Sequence, residues 1–159
     1  MESRRTASHE KQKTRHKIIH SSIQLFSEKG FHTATTKEIA RRAQIAEGTL
    51  YVHFRSKEDL LYTIGDLFVE FMDQVNLSPE MTPEDIMSTQ FKKLHSYPDL
   101  IRVILMESLS NEILRKRILY GLEPIFLAKL GYKSTDERAR MILLCERWIG
   151  NYFLGLFSK

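Results

Sequence analysis

Residues 35–54 read Thr35-Thr36-Lys37-Glu38-Ile39-Ala40-Arg41-Arg42-Ala43-Gln44-Ile45-Ala46-Glu47-Gly48-Thr49-Leu50-Tyr51-Val52-His53-Phe54. Thr35 and Glu38 have the spacing of a capping box, in which hydroxyl and carboxylate each satisfy a free backbone N–H at a helix start. Ile39, Ala40 and Ala43 make a short apolar stripe, Gln44-Ile45-Ala46 interrupts it, and a second short helix is predicted from Glu47 to about His53. Two short helices joined by a tight turn make a helix-turn-helix reader of DNA, the first crossing phosphates and the second offering small or polar residues to base edges. Ile39, Ala40, Ala43, Ile45 and Leu50 suit the miniature core that fixes the angle between them. Gly48 and Thr49 keep the leading end slim enough for a groove about 12 Å wide. Tyr51, His53 and Lys57 follow along the flank, where hydroxyl, imidazole and ammonium suit phosphate oxygens.

Upstream, Ile18, Ile19, Ile23, Leu25 and Phe26 line one face of a helix from about Lys11. Gly30 stops it in the left-handed position after the last turn, and Phe31 can fold back onto that turn. Residues 1–10 are polar, basic and aperiodic, and read as a flexible arm. Downstream, Ser56 caps a long helix to about residue 76, with Leu60, Leu61, Ile64, Leu67, Phe68, Phe71, Met72 and Val75 on its stripe. Gly65 marks a place where that helix is approached closely or flexes. Further helices are predicted at 83–95, 98–107, 109–130 and 135–157, the third bending or breaking near 120–124 because Pro124 frees the carbonyl of Tyr120. The fold class is therefore all-α: a flexible basic arm at 1–10, a three-helix helix-turn-helix domain at 11–56, and a helical bundle at 57–159.

The charge has the same division. The 159 residues hold 24 Lys and Arg against 20 Asp and Glu, a net of +4, yet residues 1–62 alone carry 12 against 7, a net of +5. Five of the six histidines are there too, and add positive charge at mildly acidic pH. A localised basic excess is the footprint of a module that binds a polyanion. The single cysteine, Cys145, has no partner for an internal disulfide, and no apolar run approaches the roughly 20 residues of a membrane span. No secretion signal opens the chain, so a cytoplasmic location is expected. An enzyme is disfavoured: the sequence has no Gly-rich phosphate loop, no Cys/His metal spacing and no Gly-x-Ser-x-Gly elbow, and no cofactor or metal is expected. His16 and His20 lie one turn apart, without an evident third ligand.

From Thr14 to Tyr62 the chain resembles the tetracycline-repressor (TetR) family of bacterial regulators. The resemblance rests on Gly30-Phe31, on Thr35-Thr36-Lys37-Glu38-Ile39-Ala40, on Gly48-Thr49-Leu50-Tyr51-Val52-His53-Phe54 and on Ser56-Lys57-Glu58-Asp59-Leu60, in that order. It implies phosphate contacts at Thr36, Tyr51, His53 and Lys57, base contacts nearest Glu47, Gly48 and Thr49, and a DNA-binding surface that includes Lys37. Two departures stand out: Gln44 where the family's turn has glycine, which strains a left-handed residue, and Ala46 where a serine would cap the second helix. Glu47 either favours the helix dipole or accepts from a cytosine amino group. Arg41, Arg42 and Arg55 are either solvated surface or DNA contacts, and His53 could instead be a polar residue at the domain edge.

The remaining residues are near neutral and rich in Phe, Leu, Ile, Met and Tyr. The resemblance implies a ligand-sensing bundle whose last helices pair with a second subunit in a homodimer. Met72, Met87, Phe91, Met106, Tyr120, Trp148 and Tyr152 are the candidate lining of a pocket for a small apolar effector, though each also suits ordinary core. The helix at 135–157 carries an apolar stripe too wide for one partner, and the family would supply one more helix of comparable length where this sequence stops at Lys159, so either a dimer with half the usual bundle or a shortened sequence is expected. The expected function is a repressor that leaves a double-stranded DNA operator when the effector binds, through a tilt of the helix at 57–76. The alternative is a ligand-independent DNA-binding factor of the same fold that answers to a protein partner.

Overall fold

The computed structural model describes residues 2–76, 78–81 and 96–130, and every regular element among them is helical. These are α1 (Glu2–Lys29), α2 (Thr36–Ala43), α3 (Glu47–His53), α4 (Lys57–Asp73), α5 (Pro98–Ser110) and α6 (Glu112–Leu130). The helices predicted at 83–95 and 135–157 lie outside the described residues, as do Cys145 and the apolar stripe of the last helix. The chain divides into two compact units, Met1–Gly65 with Asp99–Leu114, and Asp66–Pro98 with Arg115–Lys159.

In the first unit, α1 begins at Glu2 rather than near Lys11. Apolar periodicity marks only the part of a helix that is buried. Once nucleated, a helix propagates through Glu, Ala, Lys, Gln and Arg with one hydrogen bond gained per residue fixed. Ile18, Ile19, Leu25 and Phe26 are buried, and the buried Ser22 hydroxyl donates to the Ile18 carbonyl at 2.7 Å. Gly30 closes α1 at φ 81°, its N–H bonded to the Phe26 carbonyl, and Phe31 folds back edge-on to Phe26 at 5.3 Å between ring centroids. The capping box is present in full: Thr35 accepts from the Glu38 N–H, and Glu38 accepts from the Thr35 N–H. Ser56 caps α4 by accepting from the Asp59 N–H.

A sequence-remote helix completes this unit. Asp99 of α5 accepts from the Ser27 hydroxyl at 2.7 Å, and the buried Glu107 carboxylate accepts from the Phe31 N–H at 3.0 Å. Both bonds hold the end of α1 and the turn after it.

In the second unit, α6 buries Ile118, Leu122 and Phe126 at intervals of four. Contrary to the expected break, α6 continues through Pro124. A close approach occurs at Gly121 of α6, where an added Cβ would stand 2.8 Å from a Val69 methyl. Arg117 forms a two-point ion pair with Asp66, and Lys129 donates to the carbonyls of Asp73 and Val75 as α4 ends, three residues short of 76.

Candidate nucleic-acid interface

The turn between α2 and α3 is set by Gln44, in the left-handed region at φ 58° and ψ 47°, with its N–H directed at the carbonyls of Ala40 and Arg41. It is the one non-glycine residue with positive φ among the described residues. A left-handed L-residue costs about 1–2 kcal/mol, of which glycine's greater unfolded-state freedom returns part. Gln44→Gly is therefore expected to stabilise the first unit by about 0.5–1 kcal/mol, raising its melting temperature by a few degrees. A calorimetric scan showing no rise would mean that the Gln44 side chain compensates the strain. Ala46 opens α3 with no side-chain cap, leaving the Thr49 N–H to the Ala46 carbonyl at 2.9 Å.

Three of the expected DNA-facing residues meet across the two helices. The Thr36 hydroxyl donates to Glu47 Oε1 at 2.7 Å, and the Tyr51 hydroxyl lies 3.1 Å from Thr36 Oγ1. Thr36 has one hydroxyl proton and gives it to the carboxylate, so Tyr51 donates to Thr36. Glu47 thus takes a part that neither sequence reading proposed: besides standing in the first turn of α3, it anchors the Thr36 hydroxyl of α2, which in turn receives the Tyr51 hydroxyl. Gly48 and Lys37 are exposed, and Thr49 is half-buried.

Lys57 is also more than a flank cation. Its ammonium donates to the carbonyls of Phe31 at 2.8 Å, His32 at 3.3 Å and Ala34 at 2.8 Å, and stands 4.4 Å from the centre of the Phe31 ring. All three donors are used, and the ammonium brackets the α1–α2 turn. Lys29 pairs with Glu38 at 2.6 Å. That pairing, with the Thr35 bonds, lowers the Glu38 pKa to about 2. The contribution of the ionised Glu38 is present above its ordinary value of 4.5 and is lost as pH falls toward 2, so the cap stays intact throughout the neutral range. Arg42 is held by Glu28 in a two-point contact at 2.6 and 2.7 Å. The side chains of Lys37, Arg41 and Arg55, all exposed, form no ion pair with a carboxylate among the described residues, though the Arg55 backbone N–H donates to Asp59.

His53, half-buried at the end of α3, meets charges that the motif did not announce. Burial lowers its pKa below the ordinary 6.5, and the charges of Lys11 and Arg15 on α1 add to the shift. Arg15 also lies over the Phe54 ring at 5.1 Å. In the sequence, Lys11 and Arg15 stand out only as an i,i+4 pair of cations at the start of the predicted first helix. His16 and His20 line a surface cleft with Lys17 and Arg42, and no group of three metal-ligating side chains occurs among the described residues.

Of the candidate pocket residues, Met72 is buried, whereas Met106 and Tyr120 are exposed, Tyr120 by 69%. Tyr120 stands two residues from Ile118 and Leu122, on the opposite face of α6. Met87, Phe91, Trp148 and Tyr152 lie outside the described residues. No helix among the described residues is long and apolar enough to cross a membrane.

Residues 18–63 match the bacterial regulatory proteins of the tetR family, a span holding α2, α3 and the start of α4. Over 89% of its length the chain superposes on 82% of a TetR transcriptional regulator from Rhodococcus sp. RHA1, with a TM-score of 0.60 and 25% identity. The chain carries a TetR-family region at residues 18–63. It is also similar to the uncharacterized HTH-type transcriptional regulator YerO of Bacillus subtilis, 31% identical over 105 residues. That match takes in 60% of this chain and 36% of YerO, so the matched stretch spans about a third of that relative's length. In fold alone it also resembles the transcriptional regulator FadR from Bacillus subtilis in complex with stearoyl-CoA, with a TM-score of 0.66, 22% identity, and coverage of 90% of this chain and 89% of that one.

Proposed function

We propose that this chain is a DNA-binding transcriptional regulator of the TetR type whose α3 enters the major groove while α2 and the Lys11 and Arg15 turns of α1 hold phosphates on either side. The observation that carries the reading is the Thr36–Glu47–Tyr51 set, which fixes two hydroxyl side chains beside the exposed face of α3. Thr36, Lys37 and Tyr51 are the phosphate contacts, joined by His53, Lys11 and Arg15 at the other end of the helix. Gly48 and Thr49 lie nearest the bases. Lys57 keeps the turn in place and adds its charge to the field.

Binding to duplex DNA should weaken about 10²-fold between 50 and 200 mM salt if about four phosphates are neutralised. Fluorescence anisotropy across that range tests it, and a flat dependence would remove the reading. The His53 shift adds a pH dependence. A nearby phosphate favours the imidazolium, so binding raises the His53 pKa and takes up a proton. Affinity is then expected to climb severalfold as pH falls from 7.5 to 5.5, and to lose that slope in His53→Gln. A slope identical in the two proteins would take His53 out of the contact set.

The regulatory part of the reading is a cytoplasmic homodimer joined through C-terminal helices and released from its operator by a small apolar effector. It draws on the fold shared with FadR, whose structure holds stearoyl-CoA, and on α4, which supplies residues to both compact units. A tilt of α4 would change the spacing of the two α3 helices, and an effector acts only through its different affinity for the two spacings. The exposure of Met106 and Tyr120 favours a second reading, in which a protein partner takes the effector's place. Mass spectrometry of the purified protein under native conditions separates the two: a retained small molecule supports the first.

A further inference from the structure

We propose that Val52 is a specificity-determining residue that reads a thymine methyl group. The proposal rests on the DNA-binding reading and concerns a side chain to which that reading gives no role. Leu50 is fully buried and fastens α3 to the unit beneath it. Gly48 and Val52 each lie two residues from Leu50, about 200° around the helix in opposite senses, so they share the outermost stripe. A Cβ added at Gly48 would meet nothing within 4 Å, and Val52 is 72% exposed, the most exposed large apolar side chain among the described residues. On one side of that stripe stands Tyr51, tied to Thr36, and at its end stands His53, with Lys11 and Arg15 nearby.

An isopropyl group surrounded by hydroxyls and cations is poorly matched to water and well matched to one feature of the major groove. There every base edge is polar except the C5-methyl of thymine. Valine suits that contact: its branched side chain holds one preferred rotamer in a helix, so little freedom is lost on docking. Gly48, one turn back on the same stripe, allows the backbone to approach and brings the valine methyls within reach of the groove floor. The positive surroundings select DNA over an apolar protein groove as the occupant.

The test pairs a change in the protein with a change in the DNA. Duplexes selected from a random pool by the wild-type protein are remade with deoxyuridine in place of every thymidine, and both sets are titrated with wild type, Val52→Ala and Val52→Thr. Removing one buried methyl contact should weaken wild-type binding about fourfold, the equivalent of about 0.8 kcal/mol. The thymine-to-uracil ratio should shrink by that factor in Val52→Ala and persist in Val52→Thr, which keeps one branch methyl. Equal ratios in wild type and Val52→Ala, or no response to uracil in either, would overturn the proposal, and both results are expected if Val52 serves a protein contact or a second copy of the chain. A wild-type protein that binds neither duplex would instead remove the DNA-binding reading itself.

Discussion

Leu50→Ala is expected to destabilise the first unit by about 2–5 kcal/mol, the range for a buried leucine truncated in a core that only partly relaxes. Leu50 is fully buried, and Ile39, Ala40, Ala43 and Phe54 are buried in the same small unit. The short helices bring few other large side chains to that core: α2 has eight residues and α3 has seven. A unit of this size loses about 4–8 °C of melting temperature for each kcal/mol, so a fall of about 10–30 °C should appear in a circular-dichroism melt. Val52→Ala, on the opposite side of the same helix, should leave the melt within about 0.5 kcal/mol of wild type. Equal effects at the two positions would contradict the orientation of α3.

The second large effect concerns Lys57. Replacing it by methionine keeps the aliphatic stem and removes the ammonium that three main-chain carbonyls share. Hydrogen bonds to a charged group contribute about 1.5–3 kcal/mol each at best, and partial exposure discounts the sum, so the loss is expected at about 2–3 kcal/mol. A lysine serving DNA alone makes the opposite prediction, an unchanged melt with weakened binding. Denaturant unfolding of Lys57→Met without DNA decides between them: a midpoint equal to wild type would return Lys57 to the phosphate contacts.

Local signals were legible in the sequence because they act over three or four residues. The capping box at Thr35 and Glu38, the glycine stop at Gly30, the strained Gln44 and the uncapped Ala46 are each decided by spacing and stereochemistry, and each occurs where the sequence places it. Bonds between distant segments have no such signature. Nothing near Lys57 indicates that its ammonium turns back to residues 31–34, and nothing near Glu107 indicates that a buried carboxylate will meet the Phe31 N–H. Glu47 was read along its own helix, as a charge near the dipole, whereas its nearest polar partner is Thr36 on the preceding helix. Likewise Tyr120 has the residue type of a pocket lining, and its exposure follows only from which face of α6 the neighbouring isoleucine and leucine bury.

The bond between Glu107 and Phe31 also bears on how the protein is made. The helices proposed to face DNA leave the ribosome before α5, but their unit includes Asp99–Leu114. At about 5–20 residues per second, the intervening chain takes a few seconds to emerge. During that interval the Phe31 amide lacks its carboxylate and the Ser27 hydroxyl lacks Asp99. The nascent head should therefore bind DNA weakly until α5 arrives, and a gene fusion that grafts residues 1–65 onto another protein should inherit the same incomplete state.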